Sequence, residues 1–272
     1  MSLPKALGVE TSSGDVRTRC DGWVASITLS NPGKLNALNA QMWNKLKDAF
    51  AVLSRRTDLR CIVIAGEGRD AFAAGADISE FDSVRSTPTQ VERYHEETVL
   101  GAIHAIAGCD IPVVAAIRGA CIGGGLEIAS VCDIRLCNDT ARFGAPVGLL
   151  GFPMAPYELK YLLQYVSSAV VAELLLQGKI FKADEAYNKG LVSQIAIDSE
   201  FDKTLKGVVD GICKGSPLAA RTNKQQLRAF ARLNDFPSLA ERRAFYTFAQ
   251  SDDYRIGREA FIRKEAPVFN GT

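Results

Sequence analysis

The strongest constraint on the fold is an alternation, along the first 200 residues, of short apolar runs with segments of helical periodicity. The apolar runs are short and rich in valine, isoleucine and alanine, which favours buried strands. Helical spacing covers residues 41–53, with Asn39 placed as an N-cap, and residues 89–107. Strands regularly followed by helices predict an α/β architecture. The predicted strands are 24–29, 61–65, 112–117 and 133–137.

After about residue 200 the pattern changes to helical periodicity with many charged residues. Four helices are predicted there, over residues 201–213, 217–233, 237–249 and 253–264. The chain therefore divides into a predicted α/β core, residues 1–200, and a helical C-terminal region, residues 201–272, which we expect to serve assembly.

Composition excludes several classes of protein. The 272 residues carry a formal net charge of +1, so the composition does not indicate a protein that binds nucleic acid or an anionic membrane. No apolar run approaches the roughly 20 residues that span a bilayer, and the first 13 residues do not resemble a signal peptide. We expect a cytoplasmic protein with a sizeable core, because 47% of its residues are hydrophobic.

The seven cysteines do not indicate a metal site. They are scattered, include no C-x-x-C spacing, and are accompanied by only two histidines, so a zinc site is not expected. Several lie in apolar runs such as residues 60–64. We expect reduced, buried thiols.

A glycine-rich loop, GEGRDAFAAGADI at residues 66–78, imitates part of a dinucleotide fingerprint. A dinucleotide site needs a helix that opens at those glycines, and no helical stripe follows here. A tight turn after a buried strand is the better interpretation. The chain also lacks the G-x-x-x-x-G-K-[ST] motif of nucleotide triphosphatases.

Three consecutive glycines, 123–125, follow the predicted strand 112–117 and stand just before Glu127. Glycines adopt backbone angles that other residues resist and let a ligand approach the main chain. A helix that begins there has unpaired N–H groups, so an amide near Gly124 could meet a developing oxyanion beside Glu127. An acidic residue in a first turn also stabilises an ordinary helix, by about 0.3–1 kcal/mol, and this stretch alone slightly favours that role.

A second loop of small residues, FAAGADI at 72–78, favours the oxyanion-binding interpretation over the purely structural one. It too can expose main-chain N–H groups at the end of a buried strand. Two such loops would supply one donor each, and loss of one oxyanion donor typically costs about 2.7–4 kcal/mol in barrier. Asp77 is expected to cap the segment that follows.

These two segments, FAAGADI and GACIGGGLEIASVCDIRL, resemble the signature segments of the enoyl-CoA hydratase/isomerase (crotonase) superfamily. Further stretches are similar to that family in the same order along the chain: NPGKLNALN, ARFGAPVGLLGF, LLLQGKIFKADEAYNKGLVSQI and ERRAFYTFAQSDDYRIGREAFIRKEAPVFNG. Each motif alone is moderately specific, but their common order is highly specific.

The resemblance implies a crotonase-like spiral of ββα units that processes an acyl-CoA thioester, and a helical C-terminal region that builds homotrimers or homohexamers. Coenzyme A would enter as part of the substrate, with no other cofactor and no metal. By motif position, the backbone N–H groups of Ala76 and Gly124 would bind the thioester oxygen. Glu127 matches the first of the two glutamates that family hydratases use.

The same correspondence implies a coenzyme A site. Lys34 falls near the nucleotide end, while Ala74 and Asp77 belong to the ligand loop. Phe245 and Lys264 match positions that close over coenzyme A, in some members from a neighbouring subunit. For Lys34 and Lys264, an ordinary solvated surface role is an equal alternative.

The chain departs from the family pattern at one important position. Where family hydratases have FG-x-P-E, it reads FGAPV, so Val147 stands at the second glutamate. Valine cannot transfer a proton, so a water or another residue would have to replace the missing group. Glu158 and Tyr157 are candidates, although a helical glutamate is more often on the surface. His104, on the same predicted helix as His95, is expected in the core, and Asp133 is expected to be structural.

The sequence therefore favours addition of water to a 2-enoyl-CoA, with Glu127 activating water or moving a substrate proton. The same oxyanion platform supports isomerisation, decarboxylation or thioester hydrolysis. A non-catalytic acyl-CoA-binding protein is the alternative from another class. A serine peptidase on a similar spiral fold is disfavoured because no G-x-S-x-G motif occurs.

Overall fold

The computed structural model describes residues 14–230 and 250–272, and the described strands form two sheets. The strands are β1 (Asp15–Asp21), β2 (Val24–Ser30), β3 (Cys61–Gly66), β4 (Ala71–Ala73), β5 (Val113–Ile117), β6 (Ala120–Ile122), β7 (Ile134–Asn138), β8 (Arg142–Gly144), β9 (Phe181–Lys182) and β10 (Gln194–Ala196).

The described helices surround these sheets, and a π-helical turn, Tyr94–Val99, joins the third to the fourth. They are α1 (Ala40–Leu53), α2 (Phe81–Val84), α3 (Pro88–Arg93), α4 (Leu100–Gly108), α5 (Gly124–Ser130), α6 (Pro156–Tyr165), α7 (Ser168–Leu176), α8 (Ala183–Asn188), α9 (Phe201–Lys214), α10 (Pro217–Phe230) and α11 (Asp252–Arg263). Short 3₁₀ helices cover Ile78–Glu80, Val147–Leu150 and Asp198–Glu200.

The chain winds between the two sheets in repeated units. The larger sheet has the order β1-β2-β3-β5-β7-β10, in which β1 is antiparallel to β2 and the remaining neighbours are parallel. The smaller sheet has the order β4-β6-β8-β9, and its first three strands are parallel. The pairs β3–β4, β5–β6 and β7–β8 each place one strand in each sheet before helices follow. This confirms the predicted spiral of ββα units.

Local sequence explains the elements that were predicted correctly. The side chain of Asn39 caps α1 by accepting from the Met42 amide at 2.8 Å. The apolar stripe of α1, which includes Trp43, Leu46 and Phe50, is fully buried in the main core between helices and sheets. Strands β2, β3 and β5 coincide with predicted runs because they are buried and β-branched.

Other strands were missed because their stability comes from pairing across the chain. Residues 66–78 were predicted as one loop, but Ala71–Ala73 form β4, which is parallel to β6. A run of three small residues carries too little local signal, and only its partner strand defines it. Strand β1, DVRTRCD, was also missed, because its outward, charged residues hide the alternation expected of a strand. No helix opens at Gly66 or Gly68, as predicted.

The helical C-terminal region is present where the structure describes it. Helix α9 packs on the outer face of the larger sheet, where Phe201 joins a second apolar cluster with Cys61, Val114 and Leu136. The predicted helices over 217–233 and 253–264 correspond to α10 and α11, whereas the predicted helix 237–249 lies outside the described residues. In the two described ranges, no helix combines the length and apolar character needed to cross a bilayer.

All seven cysteines fall within the described ranges, and all are free thiols. Five are buried, but Cys20 is exposed and Cys213 is half-buried, so the prediction of buried thiols was wrong for these two. Cys20 lies on β1, at the edge of the larger sheet, where one face meets solvent. Burial raises the pKa of Cys61, Cys132 and Cys137 to about 12, so these side chains stay protonated.

Candidate active site

Three parallel strands of the smaller sheet end at the same edge, beside a cavity of about 110 Å³. Chain segments that follow β4, β6 and β8 line this cavity, together with residues from α5 and α6. Because the strands are parallel neighbours, segments distant in sequence converge at their carboxyl ends. The segments contribute Ala74, Ala76, Gly123, Gly124, Pro146 and Val147.

The two glycine-containing corners touch through their backbones. Gly75 has a φ of 104° and Gly123 a φ of 50°, angles that favour glycine. A Cβ atom added to Gly123 would lie 3.5 Å from the Gly75 Cα. That distance is ordinary van der Waals contact, so the positive φ angles, rather than a lack of space, are what favour glycine at both corners.

Each corner leaves a backbone amide available to a ligand. The Leu38 amide donates to the Gly75 carbonyl and the Asp77 amide donates to the Leu38 carbonyl, a parallel bridge that directs the Ala76 N–H away from Leu38. Gly124 is the first residue of α5, so its N–H has no acceptor within the helix. Among the described residues neither amide donates to a protein acceptor, and both residues line the cavity.

Glu127 projects into the cavity from the first turn of α5 and is 9% exposed. Its carboxyl group has no hydrogen-bond partner among the described side chains and amides. Burial raises the pKa of Glu127 well above its ordinary value, and the negative charge of Glu158 raises it further, while the positive charge of Arg85 opposes both. The carboxyl group therefore retains its proton at a pH where an exposed glutamate is ionised.

Glu158 lines the same cavity from the first turn of α6 and is only 4% exposed. Its Oε1 atom contacts His95 Nδ1 at 2.5 Å. The expectation of a surface position was wrong because α6 packs against α5 and its first turn points inward. Two buried carboxyl groups thus face one space that also contains two unpaired amides.

The chain matches a family model described as enoyl-CoA hydratase/isomerase over residues 20–272. The chain belongs to this family. Relatives that are 30–35% identical to this chain are named as enoyl-CoA hydratases. The protein is therefore an enzyme of the enoyl-CoA hydratase/isomerase family.

Relatives and solved structures agree with this assignment. A protein of Mycobacterium leprae named as a probable enoyl-CoA hydratase is 35% identical over 92% of this chain and 96% of its own length. A short-chain-enoyl-CoA hydratase of Clostridium acetobutylicum is 30% identical over 90% of this chain and 93% of its own. The crystal structure of an enoyl-CoA hydratase/carnithine racemase from Magnetospirillum magneticum has a TM-score of 0.91 and 37% identity, covering 97% of this chain and 98% of that one.

The predicted coenzyme A-binding residues Ala74, Asp77 and Lys34 differ in how near they lie to the cavity. Ala74 lines the cavity. Asp77 is buried beside it and caps the following 3₁₀ helix by accepting from the Ser79 amide, as predicted. Although burial opposes it, hydrogen bonds from Lys34 and Ser79 lower the pKa of Asp77. Lys34 lies outside the cavity lining, half-exposed, with its Nζ 2.8 Å from the Asp77 carboxylate.

Of the two C-terminal candidates, only Lys264 falls within the described residues. Lys264 is exposed just after α11, has a φ of 56°, and is not among the cavity-lining residues that the structure describes. Phe245 lies outside the described residues. Their roles over coenzyme A stay predictions.

Three predictions about polar side chains can be compared with the structure. Tyr157 is 43% exposed and points towards His104, outside the cavity. The expectation of a core position for His104 was wrong, because the buried stripe of α4 runs through Ala102, Ile103 and Ile106, and His104 faces solvent. Asp133 is structural, as predicted, since it accepts from the Val113 amide.

Sequence reasoning missed two polar residues of the cavity, His95 and Arg85. His95 was recognised as helical, but nothing in its local pattern indicated Glu158 as a partner 63 positions away. Arg85 ends α2 in a polar stretch, where an arginine is ordinarily a surface residue. Only the folding of α2 and the π-helical turn over the cavity distinguishes them from surface side chains.

Replacing Glu127 by glutamine is expected to stabilise the protein at neutral and alkaline pH. Because the pKa of Glu127 is higher in the folded than in the unfolded chain, the free energy of unfolding falls as pH rises from the ordinary carboxyl pKa through the folded-state pKa. Glutamine does not titrate. The Tm of Glu127→Gln minus that of the wild type should be near zero at about pH 4 and reach at least about 2 °C at pH 8, measured calorimetrically.

The matched control is Glu92→Gln, at an exposed position on α3. Its Tm difference from the wild type should not grow with pH. An equal Tm for wild type and Glu127→Gln from pH 4 to pH 8 would mean that burial does not raise the pKa of Glu127.

Proposed function

We propose that this enzyme adds water across the 2,3-double bond of a 2-enoyl-CoA thioester, forming a 3-hydroxyacyl-CoA. The observation that carries the proposal is the presence of two buried carboxyl groups, Glu127 and Glu158, in one cavity with two unpaired amides. Hydration needs both a base for water and an acid for the α-carbon. The names of the relatives in M. leprae and C. acetobutylicum support the same reaction.

The amides of Ala76 and Gly124 would hold the thioester oxygen and stabilise the enolate that forms when water attacks C3. These donors are fixed by the backbone, so they need no reorganisation when charge develops. The Gly124 amide also lies at the positive end of α5, which adds a favourable field for an oxyanion.

Glu127 and Glu158 would divide the proton transfers between them. Two carboxyl groups in one desolvated space do not ionise together easily, so one keeps its proton and the other is charged. The raised pKa of Glu127 makes it the acid. Glu158 removes a proton from water as the oxygen bonds to C3, and Glu127 delivers its proton to C2. After this step Glu158 is protonated and Glu127 is ionised. Proton exchange with solvent then returns both carboxyl groups to their starting states.

His95 would act as a positioning residue for Glu158. Its ring nitrogen contacts one carboxyl oxygen at 2.5 Å, which leaves the second oxygen free to face water. Glu158 in this way replaces the glutamate that family hydratases carry at the position of Val147. Val147 itself contributes an apolar wall.

The coenzyme A portion would leave the cavity past the ligand loop. Ala74 would contribute to this path, and the Lys34–Asp77 pair beside it offers a cation near the nucleotide phosphates. We retain the proposals that Phe245 and Lys264 close over coenzyme A and that the C-terminal helices build a trimer or hexamer. No separate cofactor or metal is required by this reaction.

A product assay tests the proposed function. Purified protein is incubated with 2-enoyl-CoA thioesters of increasing chain length, and the products are separated by liquid chromatography. We expect 3-hydroxyacyl-CoA that carries one atom of ¹⁸O from labelled water at C3. A shifted double bond, free coenzyme A or carbon dioxide would instead identify an isomerase, a thioesterase or a decarboxylase. Tight binding without any product would identify a non-catalytic acyl-CoA-binding protein.

A further inference from the structure

The wall of the cavity carries a cation that the proposed hydration does not require. Arg85 lines the cavity together with Glu127 and Glu158. Its guanidinium carbon lies 4.0 Å from the centre of the Tyr94 ring, 4.4 Å from that of Phe81 and 5.6 Å from that of Phe152. Stacking on several rings holds a guanidinium in place without neutralising it.

No carboxylate among the described residues pairs with Arg85. Its Nε atom is buried and has no hydrogen-bond partner in the described part of the chain. This atom has almost no accessible surface, so a ligand in the cavity meets the remainder of the guanidinium and its unneutralised charge rather than Nε.

The other titratable groups of the cavity do not cancel this charge. Glu127 holds a proton, for the reasons given above. Glu158 contacts His95 through its Oε1 atom, and no ion pair joins it to Arg85 among the described residues. The positive charge of Arg85 therefore faces the space around the acyl group without a carboxylate partner. An entirely aliphatic acyl chain would gain nothing from it.

The size of the cavity limits the group that Arg85 could bind. Its volume is about 110 Å³. A cavity of roughly 150 Å³ accepts benzene, so this space suits a short acyl group and has no room for a long acyl chain. An acyl group of four or five carbons would place its distal end within the cavity rather than beyond it.

Resting on the proposed hydratase function, we propose that the substrate is a short-chain 2-enoyl-CoA whose acyl group ends in a carboxylate, and that Arg85 binds this carboxylate. The guanidinium presents two parallel N–H donors, which match the two oxygens of a carboxylate. Phe81 and Phe152 hold the donor group in place from the apolar side. Arg85 is thus a specificity-determining residue, whereas Glu127 and Glu158 move protons.

The test compares substrates that differ only at the distal end of the acyl group. Glutaconyl-CoA ends in a carboxylate, and 2-pentenoyl-CoA has the same number of acyl carbons but ends in a methyl group. A 4-trimethylammonio-2-butenoyl-CoA carries the opposite charge. We expect kcat/KM for glutaconyl-CoA to exceed that for 2-pentenoyl-CoA about 10- to 100-fold, the factor that one charge-assisted pair supplies. The cationic substrate should be the poorest.

The variant Arg85→Met keeps the length of the side chain and removes its charge. It should reduce the ratio of the two kcat/KM values to about one or below, while Arg85→Lys should keep part of the preference. Arg93→Met is the matched control, because Arg93 is 77% exposed and its ion-pair partner in the described part of the chain is Glu97, also on the surface. That variant should keep the wild-type ratio.

Binding of saturated analogues separates recognition from chemistry. Glutaryl-CoA should bind the wild type more tightly than valeryl-CoA in calorimetry, and the difference should vanish in Arg85→Met. Equal effects of Arg85→Met on both substrates, or a preference for the neutral or cationic substrate, would overturn the assignment and leave Arg85 as a counter-charge for the two glutamates. Absence of hydration with all the substrates would instead overturn the proposed function.

Discussion

Glu127→Gln is expected to lower kcat for enoyl-CoA hydration by about 10²- to 10⁴-fold, the usual contribution of a positioned proton donor. The amide is nearly the same size as the carboxyl group and cannot deliver a proton to C2. Because the thioester oxygen is held by backbone amides, the Kd of an acyl-CoA should change little. Stopped-flow turnover and calorimetric binding on the same preparation measure the two quantities separately.

Glu158→Gln should reduce kcat by a comparable factor, because water then loses its base. The double variant should be only slightly worse than either single one, since residues that act as a unit are strongly non-additive. Glu92→Gln, at an exposed position, is the control and should keep wild-type kcat. Full activity of Glu127→Gln would show that Glu127 is not the proton donor. Full activity of Glu158→Gln would show that Glu158 is not the base that replaces the family's second glutamate.

The second large effect is expected from Gly125→Ala. A Cβ atom on Gly125 would lie 2.4 Å from the Ala73 carbonyl oxygen and 3.0 Å from the Ala73 Cβ. Both belong to β4, which cannot move aside without losing its pairing with β6. Helix α5 must therefore shift away from β4, and the Gly124 amide shifts with it.

This shift should separate the two proposed oxyanion donors. We expect kcat/KM to fall about 100-fold, because a displacement of about 1 Å at a catalytic group has effects of that order. Overpacking should also cost about 1–3 kcal/mol in the free energy of unfolding. Denaturant titration and steady-state kinetics measure the two effects. Gly124 itself is less suitable, since its amide is part of the proposed site.

Gly207→Ala is the matched control for a glycine in a helix. Gly207 lies on the exposed side of α9, and nothing approaches within 4 Å of its hypothetical Cβ. Alanine there should stabilise the protein by up to about 1 kcal/mol through helix propensity and leave kcat/KM unchanged. A Gly125→Ala enzyme with wild-type kinetics would show that α5 and β4 need not be in direct contact for catalysis.

Elements with a strong local pattern could be predicted from the sequence. Alternating apolar runs and helical stripes predicted β2, β3, β5 and α1, including the Asn39 cap. The short strands of the smaller sheet escaped prediction because three residues have no period to recognise. They form only because a neighbouring strand completes their hydrogen bonds.

The sequence by itself determined the α/β alternation, the two corners of small residues and the position of Glu127 beside one of them. These features are local, because they depend on backbone freedom, periodicity and spacing along a few residues. Only the tertiary structure decided that Glu158 is buried against His95 and that Arg85 faces the same cavity. These contacts join segments tens of residues apart, and their burial depends on how helices pack, which no local pattern of charges or apolar residues specifies.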